Sequence, residues 1–141
     1  MNTNTERMHI REVGRVVVPV SDQDRAMAFY TNVLGFQVRA DFTMGGDARW
    51  LEVALPDTAT SLALVPPRGG MWETVGIDSR VSLVSDDIET DHRTLREEGV
   101  DTDEILRFGP QVPAMFFFRD PDGNTLQIVE HTSHDSDPHG A

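Results

Sequence analysis

The chain repeats itself, and that constrains its fold more than any other feature. Val20-Ser21-Asp22 recurs as Val84-Ser85-Asp86, and at the same spacing Leu34-Gly35-Phe36 aligns with Glu98-Gly99-Val100. Each half reads as a strand, a Ser-Asp helix start, an amphipathic helix, a glycine and further strands. Ser21 or Asp22, and Ser85 or Asp86, can accept the free backbone N–H groups at a helix start. Asp24 and Glu89 follow in the first turn of each helix. Gly35 and Gly99 suit the left-handed residue that ends a helix. Ala26, Phe29, Tyr30 and Val33 share one face of the first helix, and Ile88 and Leu95 share one face of the second.

The remaining strands are expected at 15–20, 36–43, 49–55 and 61–65 in the first half. Those of the second half are expected at 80–85, 100–108, 114–119 and 125–130. Alternation divides them into two faces. Val16, Val18, Val20, Leu62, Leu64, Val81, Leu83, Leu126 and Ile128 form one uniformly aliphatic face, on which the helices should pack. The opposite face mixes Arg15, Ser61, Arg80, Ser82, Thr125 and Gln127 with small apolar residues. Such a face is either a ligand cup or a plain solvent-facing sheet, and periodicity leaves both open. The expected order is βαβββ twice. The modules lie at about 13–65 and 79–131, joined by a breaker-rich linker at 66–78. Together they make a single domain over 1–131, and the polar stretch 132–141 is expected to be a disordered tail.

Composition removes whole classes of function. With no cysteine and no lysine among 141 residues, disulfides, thiolate metal sites, a cysteine nucleophile and Schiff-base chemistry are excluded. Twelve basic residues against 24 acidic ones give a net charge of −12, which argues against a nucleic-acid partner. No apolar run is long enough to span a membrane, and the N-terminal residues do not read as a signal peptide, so a cytoplasmic location is expected.

Two motifs carry a family likeness. They are Ala28-Phe29-Tyr30 with Val33-Leu34-Gly35-Phe36, and Phe118-Arg119-Asp120-Pro121-Asp122-Gly123-Asn124 leading into Leu126-Gln127-Ile128-Val129-Glu130. Together with the repeat, they make the chain resemble the vicinal oxygen chelate superfamily. That group holds glyoxalase I, bleomycin-resistance proteins, fosfomycin-resistance enzymes and extradiol dioxygenases. The resemblance implies an α+β fold in which two βαβββ modules form curved mixed sheets around a ligand cup, in a homodimer. It also implies four cup-facing positions where the metal enzymes of the group hold their ion: Arg15, Ala63, Arg80 and Gln127. A guanidinium has no acceptor and a methyl group cannot coordinate, so no metal and no other cofactor is expected.

The candidate site follows from the same face. Arg15 and Arg80 begin equivalent strands and could grip one anionic ligand, or each could pair with an acid such as Glu52 or Glu130. Glu52 is the candidate base and Trp50 a stacking wall, with a structural ion pair as the alternative role for Glu52. If the turn at 120–123 has four residues, Phe116 and Phe118 stand opposite Gln127 and Thr125 in the cup and Phe117 faces the helices. Met71 and Trp72 follow Gly69-Gly70 and could form a lid or a plain connector. The five histidines form no spaced ligand set. Two functions fit: a metal-independent small-molecule-binding protein that sequesters a ligand or antibiotic, or a glyoxalase-like lyase or isomerase using a cup carboxylate with Arg15 and Arg80.

Overall fold

A computed structural model describes residues 7–132, so most of the tail expected at 132–141 lies outside the described residues. The first half runs β1 (Arg15–Pro19), α1 (Gln23–Ala28, continued by a π-helical turn, Phe29–Val33), β2 (Gln37–Gly45), β3 (Ala48–Ala54) and β4 (Ser61–Val65). Two short 3-10 turns, Arg68–Gly70 and Trp72–Thr74, make up the linker. The second half runs β5 (Asp78–Ser85), α2 (Ile88–Glu97), β6 (Met115–Arg119) and β7 (Thr125–Glu130). The first sheet has the order β1-β4-β3-β2 and the second β5-β7-β6. Each is mixed, because β1 runs parallel to β4 and β5 parallel to β7, while the other neighbours are antiparallel. The fold is the α+β pair of modules that the repeat predicts, with one irregular member.

That member is 100–108, expected as a strand. It contributes only two isolated bridges to the outer edge of β6, Thr102 with Phe118 and Leu106 with Met115. Between them the chain carries one more residue than β6 does, so the ladder breaks as at a bulge. Asp103 and Glu104 at the break turn outward to Arg119 and Arg96, at 2.7 Å and 2.6 Å.

The helix starts correct the repeat by one residue. The caps are Asp22, which accepts from the Arg25 N–H, and Asp87, which accepts from the Thr90 N–H; Ser85 and Asp86 are not the cap. Val16 pairs with Leu62 and Val81 with Leu126, so the modules correspond at 65 before the helix and at 64 after it. The first helix absorbs its extra residue as the π turn, where the Leu34 N–H donates to the Phe29 carbonyl five residues back.

The aliphatic faces of both sheets meet α1 and α2 in one core. Val18, Val20, Tyr30, Leu51, Val53, Leu62 and Leu64 come from the first module, and Ile88, Leu95, Phe116, Phe118, Leu126 and Ile128 from the second. Phe116 and Phe118 are fully buried there, so truncating either to alanine is worth about 3–5 kcal/mol.

One polar cluster pins the modules together. The Asp120 carboxylate accepts from the Tyr30 hydroxyl at 2.9 Å and from the Asn124 side chain at 3.0 Å, and also from the backbone N–H groups of Asp122 and Asn124. Asn124 also donates to the Pro19 carbonyl at 2.8 Å and accepts from the Gly76 N–H at 2.7 Å. It therefore ties the end of β1, the end of the linker and the β6–β7 turn to one side chain. Gly76 has φ +83°, and a Cβ there would meet the Asp122 carbonyl at 2.9 Å, so only glycine passes.

Candidate functional site

The open face of the first sheet carries a polar group built around one carboxylate. Arg15 stands beside Ser61 across the β1–β4 pair, and Glu52 stands beside Ala63 across β3–β4. Glu52 Oε1 accepts from the Ser61 hydroxyl at 2.6 Å. Its Oε2 accepts from Trp50 Nε1 at 2.6 Å and from Arg15 Nε at 3.1 Å. Burial works to raise this carboxyl, but the bonds from Ser61 and Trp50 and the Arg15 guanidinium outweigh it and hold Glu52 below the ordinary carboxylate range. Both oxygens of Glu52 are engaged and the group is ionised, which suits an anchor better than a proton-accepting base.

Beside this cluster lies a cavity of about 830 Å³. Its walls are Val17 and Pro19 of β1, Met44 of β2, Trp50 of β3, Val65 of β4, and the linker residues Pro66, Pro67 and Met71. Its charged groups are Asp47, Arg49 and Arg68. Arg49 is already committed, with its guanidinium on Asp24 at 2.7 Å and on Asp41 at 2.9 Å. Size and lining match the concave, mostly apolar pockets that bind small molecules. Among the described residues, no buried side-chain polar atom lacks a hydrogen-bond partner.

The expected site residues are divided among several places. Trp50 lines the cavity, whereas Glu52, Arg15 and Ser61 are not among its walls. Arg80 does not join Arg15 within the chain. A bulge in β5 between Asp78 and Val81 puts Arg80 at φ +61°, with its N–H donating to Asp78 Oδ1 at 2.9 Å. It lines a separate cavity of about 480 Å³, together with Val16 and Leu62 of the first module and Val81 of its own strand.

Phe116 and Phe118 are not in the cup. The turn has five residues, because Arg119 pairs with Thr125, and this puts Phe117 opposite Gln127 and turns Phe116 and Phe118 into the core. A one-residue change in a hairpin loop flips every side chain of the strand. The extra residue is Asn124, drawn into the turn by its bonds to Asp120. Gln127 itself donates to the Met115 sulfur at 3.2 Å.

The sequence reading missed Met44, Asp47, Arg68 and the proline pair as walls. The alternation of Phe42 and Met44 along β2 was the available signal; the return of the linker over the first sheet had none.

The metal positions implied by the family likeness do not fit an ion. Arg15 is paired to Glu52, Ala63 offers a methyl group, Arg80 is a guanidinium and Gln127 rests on Met115. Among the described residues, no three His, Asp or Glu side chains are grouped so as to hold a metal. Among the same residues no helix is long and apolar enough to cross a membrane.

Comparisons with known proteins agree with this architecture. The family model described as Glyoxalase/Bleomycin resistance protein/Dioxygenase superfamily matches residues 12–128. The protein YetH of Bacillus subtilis (strain 168) is 32% identical over 123 residues, covering 86% of this chain and 99% of its own. TnmS3, an antibiotic binding protein from Streptomyces sp. CB03234, superposes with a TM-score of 0.71 at 34% identity, covering 89% of this chain and 99% of its own. A superfamily member from Sphaerobacter thermophilus DSM 20745 superposes with a TM-score of 0.80 at 32% identity, covering 88% of this chain and all of its own. With its two mixed sheets, its paired modules and a family match spanning both, this chain belongs to the Glyoxalase/Bleomycin resistance protein/Dioxygenase superfamily.

Proposed function

We propose that this protein binds and sequesters a small organic molecule, of the antibiotic type, in the cavity of its first module, without a metal ion and without changing the ligand. The cavity itself carries the reading. It offers about 830 Å³ walled by Val17, Pro19, Met44, Trp50 and Met71, while Trp50 and Ser61 both bond to Glu52 beside it. A reaction would need an acid, base or electrophile held in place against the ligand. Glu52 and Arg49 are committed to protein partners, and Asp47 and Arg68, the other charged groups of the cavity, have no side-chain bond among the described residues that would orient them. The name given to TnmS3, an antibiotic binding protein, supports the same class.

The working unit in this reading is a homodimer. Val84, Phe108 and Val112 in the second module are exposed apolar side chains that a second copy would cover.

A thermal-shift screen of antibiotics and ring-bearing metabolites tests the binding reading. Ligand at a hundredfold excess over Kd should add roughly 2.7 kcal/mol to stability, and the shift should survive EDTA. Consumption of the ligand, or a shift that EDTA abolishes and zinc or nickel restores, would overturn it. Light scattering at micromolar concentration should give twice the chain mass of 15.7 kDa, and a monomer mass would remove the dimer.

A further inference from the structure

We propose that Glu52 is a positioning residue that fixes the Trp50 indole, and that the ring so fixed selects planar aromatic ligands over bulky aliphatic ones. The inference rests on the cavity being the ligand site and adds what the site recognises.

Trp50 has one polar atom, Nε1, and its hydrogen is consumed by Glu52 at 2.6 Å. Glu52 is not a wall of the cavity, whereas Trp50 is. The part of Trp50 left for a ligand is therefore carbon, the surface on which flat rings stack. Its directly opposite partner on β2 is a second aromatic, Phe42, half exposed on the same face. The carboxylate that holds the indole is itself held from two further directions, by Ser61 on β4 and Arg15 on β1. Three strands thus set the orientation of one ring before any ligand arrives. A wall set in advance binds tighter because less motion is lost on binding.

The test uses the full chain carrying Trp72→Phe, which leaves Trp50 as the single tryptophan of the two. The probes are 2-naphthamide and its saturated counterpart decahydro-2-naphthamide, which share a head group and differ in flatness and aromaticity. The parent should bind the naphthamide about fivefold more tightly than the saturated amide, the usual worth of one stacked pair. Glu52→Ala should bring that ratio close to one, shift Trp50 emission and increase its quenching by acrylamide. Glu52→Gln keeps an acceptor for Nε1 and should restore both the ratio and the emission.

An Ala variant with unchanged ratio and emission would overturn the proposal, as would a Gln variant that behaves like Ala. If Glu52→Ala does not fold, Glu52→Met, which keeps most of the side-chain volume and removes the carboxylate that accepts from Nε1, is read in the same way. If the parent binds neither amide, the planar-ligand part is overturned. The emission and quenching of Trp50 then decide the positioning role separately from the cavity's function.

Discussion

The two modules share one strand order and carry opposite chemistry on their open faces. In the first, the centre of the face is Glu52, bonded to Trp50, Ser61 and Arg15. At the equivalent place in the second stands Phe117, opposite a Gln127 that rests on Met115. The first module has a nine-residue β2 and a linker folded back to wall a large cavity. The second replaces that strand with two bridges. A duplicated frame is held by its aliphatic face, which both halves keep. The open face is then free to diverge, and here one half became a pocket and the other a mostly uncharged surface.

The sharpest way to break this comparison is to cut the junction the halves share. Asp120→Ala should lower global stability by about 3 kcal/mol or more, because it leaves the buried Tyr30 hydroxyl, one N–H of the Asn124 amide and two backbone N–H groups without their acceptor. Urea denaturation measures the loss. A change below about 1 kcal/mol would mean that the Asp120 cluster does not hold the modules together.

The two central carboxylates make a second contrast. Glu52 lies below its ordinary range, so it contributes stability above the ordinary glutamate pKa and loses it as pH falls through its folded value. Asp120 lies above its range because burial outweighs the bonds from Asn124 and Tyr30, so ionising it costs stability and acid relieves that cost. Glu52→Gln should therefore flatten the acid limb of the stability profile, read by thermal melts from neutral pH downward. An unchanged limb would show that the Glu52 cluster does not distinguish folded from unfolded chain.

The smallest effect concerns the paired arginines. Arg80 holds a left-handed backbone at its bulge, whereas Arg15 lies in a regular strand. Arg80→Gly should be neutral or stabilising by less than about 1 kcal/mol, and Arg15→Gly should destabilise. Equal losses at both positions would mean that the strain at Arg80 is negligible.

Much of this was legible because it rests on local rules. Alternation placed Val16, Val18, Leu62 and Leu126 in the core. Asp22 was recognisable as a helix cap, and its counterpart Asp87 was displaced by a single residue. The errors share one cause. The π turn at Phe29–Val33 and the fifth turn residue Asn124 each add one residue to a regular count, the bulge before Val81 adds two, Ser79 and Arg80, and none has a fixed composition. One residue is enough to turn Phe116 from the cup into the core.

The sequence by itself determined that two βαβββ halves would pack through their aliphatic faces, because periodicity and burial are properties of single segments. It also determined the side chains, guanidinium and methyl groups among them, at the positions where the family likeness implies metal ligands, because side-chain chemistry needs no coordinates. Only the tertiary structure decided which acid meets which arginine, that Arg15 joins Glu52 while Arg80 faces a different cavity, and that the linker walls the pocket beside Trp50. Those outcomes depend on residues tens of positions apart reaching one point, and bulges and turns that add one or two residues set where each one lands.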